Sequence, residues 1–183
     1  MTFTLSNAGA RQGSLGGKEC PRHWRGGGDQ GQICFSKGVS MSDGSSAGTG
    51  TGDLNSTRLV LVEDCPDDQR LMALLLSRAG AEVILECNGE SAIRQFERSL
   101  RRDTTYDGIV MDLQMSGIDG IETTRRLRSR RYVGPIIAVT AHGDVNTERE
   151  WLDAGCSCYV RKPFSPLHFV QSVADAVCQN AAS

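Results

Sequence analysis

Aromatic residues make up only 5% of this 183-residue chain. No apolar run approaches the roughly 20 residues that a membrane-spanning helix requires. The N-terminus lacks the apolar core of a secretory signal. There is no strong excess of charge of either sign: the formal net charge is −2, so the totals give no push toward nucleic acid. Paired C-x-x-C motifs are missing too. The seven cysteines are odd in number and scattered, and Cys156 and Cys158 form a C-x-C that no second pair answers. They read as reduced cysteines serving as small core or surface residues. Together these absences point to a cytoplasmic protein of one domain, with no membrane and no nucleic-acid partner.

Glycine, by contrast, is plentiful and unevenly placed: thirteen of the 21 glycines fall between Gly9 and Gly52. That stretch includes GGG at 26–28 and GSSAGTGTGD at 44–53, and it keeps no period of 2 or 3.6. Such a segment cannot bury enough apolar surface to offset its backbone entropy. Residues 1–56 are therefore expected to be a disordered, linker-like segment. The string ICF at 33–35 is too short to alter that expectation. Met41, followed by a polar linker, is a second candidate start, which would make residues 1–40 an upstream extension. Peptides from residues 1–40 of the native protein would exclude it.

From residue 57 the text alternates. Short apolar runs lie at 59–62, 83–85, 109–111, 135–139 and 158–160. Between them lie helical patterns. Pro66-Asp67-Asp68 opens the first helix, with proline in the first turn and acids near the positive helix end. Gly80 is a plausible stop. Asn88 begins the second helix, 118–128 the third, 145–154 the fourth, and Ser165 caps the last. This is a (βα)5 chain of about 120 residues, so the fold class is α/β, with a doubly wound parallel sheet. Strands that are continuously apolar suit a sheet buried on both faces. The domain is expected over 57–179, leaving 180–183 as a tail.

The strands end on polar residues: Glu63-Asp64, Asp112, Thr140, and Arg161-Lys162-Pro163. In an open parallel sheet these ends share one edge, and ligands bind where the strand order reverses. In the order 2-1-3-4-5 that point lies between the two strands that end in carboxylates. Like charges ~4 Å apart repel by on the order of 4 kcal/mol at the effective dielectric of a protein surface. A hard divalent cation would offset this, and an oxygen-rich site with few protein ligands suits Mg²⁺. Lys162 adds a positive charge and Thr140 a hydroxyl. A cation, a lysine and a hydroxyl around a carboxylate form a phosphoryl-transfer site, with Asp112 able to act as an oxygen nucleophile.

The pieces LVLVEDCPDDQR, YDGIVMDLQMSGIDGIE, PIIAVTAH and AGCSCYVRKPF, in this order and spacing, resemble the receiver domain of two-component response regulators. The pattern of VEDCPDDQR and MDLQM is similar above all to receivers of hybrid histidine kinases. The resemblance implies a flavodoxin-like fold and phosphorylation of Asp112 by a histidine kinase or histidine phosphotransfer protein. It implies Mg²⁺ held by Asp64, by Glu63 through water, by Asp112 and by the backbone carbonyl of Gln114. It further implies that Lys162 holds phosphoryl oxygens across a cis Lys162–Pro163 bond. Thr140 would be the switch hydroxyl and Tyr159 the aromatic that moves with it, reshaping the face of the fourth helix, fifth strand and fifth helix. Gln114 and His142 would tune phosphoryl lifetime. Ser116 stands where the family usually has proline, which is expected to loosen the loop. The chain stops after the last helix, so a single-domain relay is expected, with a detached piece of a hybrid kinase or a non-phosphorylated scaffold as alternatives. A small flavin protein would need a phosphate-cradling loop after the first strand, where EDCPDD stands instead. RRLRSRR at 125–131 reads as a solvated helix end.

Overall fold

A computed structural model describes residues 33–34, 53–141 and 145–181, with the side chains of 33–34 and 145–148 not described. Two units divide the chain, Met1–Gly31 and Gln32–Ser183. The first lies outside the described residues, as do most of the expected linker and His142.

The elements follow the alternation in the sequence. A two-residue strand, β1 (Ile33–Cys34), comes first. Then come β2 (Arg58–Val62), α1 (Pro66–Arg78), β3 (Glu82–Glu86), α2 (Gly89–Arg101) and β4 (Gly108–Asp112). They are followed by α3 (Gly120–Ser129), β5 (Ile136–Thr140), α4 (Val145–Ala154), β6 (Cys158–Arg161) and α5 (Pro166–Ala181). The sheet order is β1-β6-β5-β4-β2-β3. Strands β2 to β6 pair in parallel, giving the expected 2-1-3-4-5 order. β1 lies antiparallel on the β6 edge, with Ile33 opposite Tyr159. The sequence carries no signal for it, because two residues cannot show a period.

Alternate strand residues face two helix layers. Val60, Val62, Ile109, Met111, Ile136 and Ala138 join Ile93, Phe96 and Leu127 on one side. Leu59, Leu61, Val110, Ile137 and Val139 join Met72, Leu76, Phe169 and Val173 on the other. β4 and β5 are buried at every residue, as their continuous apolar runs require.

The ordered fold begins before the expected boundary at 57. Leu54 is 1% exposed and packs with Leu76 and Ala81. Its N–H donates to the Ala79 carbonyl at 2.8 Å, and Ser56 turns the chain into β2 with φ 63°. One leucine in a Gly/Ser-rich stretch leaves no periodic trace, so composition alone misplaces the edge. At the other end α5 runs to Ala181, beyond the expected stop at 179.

Candidate functional site

Four strand ends build the site. Glu63 follows β2, Asp112 closes β4, Thr140 closes β5, and Lys162 follows β6. Asp112 is in register with Val139, and the ladder continues as the Leu113 N–H donates to the Val139 carbonyl at 3.1 Å. The Thr140 carbonyl accepts the Lys162 N–H at 2.7 Å. The last backbone bonds of the sheet thus hold the polar residues in one row.

At the centre stands the Lys162 ammonium. It donates at 2.8 Å to each of Glu63 Oε2, Asp68 Oδ2 and Asp112 Oδ2. The carboxylate side chains differ in exposure: 1% for Glu63, 8% for Asp112 and 45% for Asp68. Burial alone would weaken the lysine's hold on its proton, but the bonds to Asp112, Asp68 and Glu63 outweigh it and raise its pKa. One ammonium cannot balance three carboxylates. Burial pushes the Glu63 carboxyl up and Lys162 pulls it back, while nearby Asp112 raises it again, leaving it at about 7. Burial leads this shift, and the adjacent Asp112 adds to it.

Asp68 is the residue that the sequence reading missed. It was assigned only to the positive end of α1, yet it reaches Lys162 from the first turn of that helix. A signal was available: an acid at the third position of a helix that starts at the sheet's carboxyl edge faces back over that edge.

The loop after Asp112 is closed tightly. Asp112 Oδ1 accepts the Gln114 N–H at 2.8 Å. Gly117 takes φ 84°, and Asp119 caps α3 by accepting the Glu122 N–H at 2.7 Å. The Gly120 N–H returns to the Leu113 carbonyl at 3.1 Å, and a Cβ on Gly120 would strike the Asp112 carbonyl. Ser116 does not leave the loop loose. Its N–H donates to Asp64 Oδ2 at 2.8 Å, tying the loop to the end of β2. A proline there would have no N–H to give.

Tyr159 lies in β6 and is buried, packed edge-on against Trp151 of α4 with ring centroids 5.2 Å apart. The Lys162–Pro163 bond is cis. Beside the lysine opens a cavity of about 380 Å³ lined by Asp68, Leu71, Met72, Ala141, Lys162, Pro163 and Phe164.

The donor set fits a hard divalent cation in chemistry: oxygens only, with surplus negative charge. It is not drawn up as a ready cluster, and the described residues hold no group of three His, Cys, Asp or Glu side chains closing on one point. The reason is local, since Lys162 stands between Glu63 and Asp112 while Asp64 is turned to Ser116. No helix among the described residues is long and apolar enough to cross a membrane.

Comparison with known proteins gives the family of the chain. Residues 59–174 match the model of the response regulator receiver domain family. The chain is 32% identical over 127 residues to the transcriptional regulatory protein TcrA of Mycobacterium tuberculosis, which covers 69% of this chain and 48% of that protein. It is 30% identical over 146 residues to the hybrid signal transduction histidine kinase I of Dictyostelium discoideum, covering 74% of this chain and 8% of the kinase. The chain therefore spans half or less of these relatives. Among solved structures, the receiver domain of the sensor histidine kinase PA1611 from Pseudomonas aeruginosa PAO1 is 32% identical, with a TM-score of 0.59, covering 67% of this chain and 98% of that one. That structure holds a magnesium ion in its active site cleft.

Proposed function

The chain belongs to the response regulator receiver domain family, and on that premise we propose that Asp112 accepts a phosphoryl group from a phosphohistidine and switches a neighbouring face. The observation that carries this reading is the meeting of Glu63, Asp68 and Asp112 on the single Lys162 ammonium at 2.8 Å. A carboxylate oxygen of Asp112 attacks phosphorus, the P–N bond of the donor breaks, and an acyl phosphate remains. Lys162 then turns from the carboxylates to the phosphoryl oxygens, which carry about −1.5 to −2 charge at neutral pH. Magnesium, held by Asp64, Asp112, the Gln114 carbonyl and Glu63, would supply the missing positive charge.

Thr140, which closes β5 in the row of strand ends, is the switch hydroxyl in this reading. Its movement alters the packing around Tyr159, and Tyr159 carries the change to Trp151 and to the face of α4, β6 and α5. This is a shift between two packings of one core. The donor is a histidine kinase or histidine phosphotransfer protein, whose ring enters beside Lys162 across the cavity edged by Leu71.

Leu71 lines that cavity and is 49% exposed, as is Leu74 one turn further along α1, and exposed apolar surface beside a site suits a protein donor. Phosphoryl transfer from a phosphohistidine protein and from acetyl phosphate therefore separates docking from chemistry. Leu71→Glu should slow transfer from the protein donor by about tenfold or more, the size of one interfacial anchor. Labelling by acetyl phosphate should stay near wild type. Equal loss with both donors would place Leu71 in the fold of the site rather than in docking.

A further inference from the structure

The sheet edge opposite the acidic site carries a second charged feature, which the receiver reading does not use. On α2, Arg94, Arg98 and Arg101 stand at i, i+4 and i+7, a single exposed stripe. It lies opposite the buried Ala92, Ile93, Phe96 and Ser99. Like charges at this spacing destabilise a helix. The helix dipole favours cations only in the last turn, which accounts for Arg98 and Arg101 but not for Arg94. Two acids share this side of α2: Glu90, four residues before Arg94, forms no ion pair among the described residues, and Glu97 is taken by Arg130 at the end of α3 at 2.9 Å. Arg101 Nε reaches only the Glu97 carbonyl, at 3.4 Å. Among the described residues Arg94, Arg98 and Arg101 enter no ion pair, and the Glu97–Arg130 bond joins their stripe to the end of α3 as one face.

Not every nearby arginine is spare. Arg128 is a structural clamp: it donates to the carbonyls of Gly155, Tyr132 and Gly134. Because Gly134 lies two residues before β5, this clamp sits at the starting edge of the strands. Arg126 pairs with Glu122 at 2.8 Å. The dipole covers Arg98 and Arg101 one by one, but it does not account for a third arginine, Arg94, on the same exposed line. A feature that breaks a local rule with no compensation inside the fold points to something outside it.

We propose that this arginine face docks an acidic protein partner, independently of the state of Asp112. The cations are all arginine, and the guanidinium fork matches carboxylate pairs. The chain from residue 53 onward has one lysine, Lys162, which sits in the site. Leu100, 59% exposed, precedes Arg101 in the chain, and Val133, 84% exposed, follows Arg130 and Arg131; they offer apolar surface of the kind a protein interface uses. Single-stranded nucleic acid calls for exposed aromatic platforms. Here Phe96 and Tyr132 are buried against each other, with centroids 5.3 Å apart. Docking at this edge leaves both the acidic site and the face of α4, β6 and α5 open.

The test is fluorescence anisotropy with the full chain and a labelled short peptide of alternating Glu and Leu. Duplex DNA and phosphatidylserine vesicles serve as rival probes. Saturable peptide binding is expected, weaker by about tenfold from low to physiological salt. R94Q/R98Q/R101Q should weaken it by about tenfold while acetyl phosphate still labels the variant, and Asp112→Asn should bind like wild type. A peptide with Lys in place of Glu should not bind the wild-type chain, which keeps the test decisive even if the triple variant misfolds. The proposal is overturned if the Glu-Leu peptide does not bind, or if it binds the folded triple variant as well as wild type. Tighter binding of DNA or vesicles also overturns it, as does self-association through this face in sedimentation.

Discussion

Asp112→Asn should abolish phosphoryl labelling by acetyl phosphate and by any phosphohistidine donor, and the same variant should be more stable than wild type. The first effect follows from nucleophilicity: an amide oxygen does not form a stable acyl phosphate. The second follows from charge. Three carboxylates share one ammonium, and burial, with Asp112 adding to it, pushes the Glu63 carboxyl up to about 7. Replacing Asp112 removes one like charge yet keeps an acceptor for the Gln114 N–H, now bonded to Asp112 Oδ1 at 2.8 Å. A gain of about 1 kcal/mol, or roughly 3–6 °C in melting midpoint, is the expected size for relief at a functional site. Thermal melts in EDTA and phosphate incorporation measured on one preparation check both halves. Full labelling of the variant would refute the site assignment, and a large loss of stability would refute the charge argument.

Lys162→Met should also abolish labelling, but with the opposite effect on the fold. Removing the ammonium leaves Glu63, at 1% exposure, and Asp112, at 8%, with no cation between them. Breaking a buried pair from one side costs about 3–5 kcal/mol, and the lower end applies here because Asp68 stays solvated. The loss should depend on pH in a defined direction. Glu63 titrates at about 7 in the folded chain, against a usual 4.5. The folded state thus keeps a proton that the unfolded state has released, and stability from this group falls as pH rises through that window. Losing the pull of Lys162 moves the folded value higher still. Urea melts in EDTA should therefore show a smaller deficit at about pH 6 than at about pH 8, because Glu63 neutralises itself by protonation at the lower value. A pH-independent deficit would show that Lys162 acts through packing alone.

How much of this was readable beforehand differs by element. The parallel strands were legible because β4 and β5 are buried on both faces and so are apolar up to their last residues, Asp112 and Thr140. The site was legible because strand ends are where an apolar run must stop, and Glu63, Asp112, Thr140 and Lys162 are the residues that stop it. α1 was legible as a helix but not as a surface. Its leucines look equivalent in sequence, yet Leu76 is fully buried while Leu71 and Leu74 stand half open. Only the angle at which the helix meets the sheet decides between them. Asp68 escaped for the same reason. Ser116 shows another limit: its contribution is a backbone N–H, which every residue but proline carries, so its side chain told nothing of the bond to Asp64. At the N-terminus, Leu54 and β1 were hidden because one buried residue, or two paired ones, form no pattern.

The most direct test of the central claim is to trap the acyl phosphate and read its position. After acetyl phosphate and magnesium, borohydride reduces an aspartyl phosphate to homoserine, which peptide mass spectrometry locates. The account predicts homoserine at position 112 and at no other acid of the site. Homoserine at 64 or 68, or a phosphate stable to borohydride on another side chain, would contradict it.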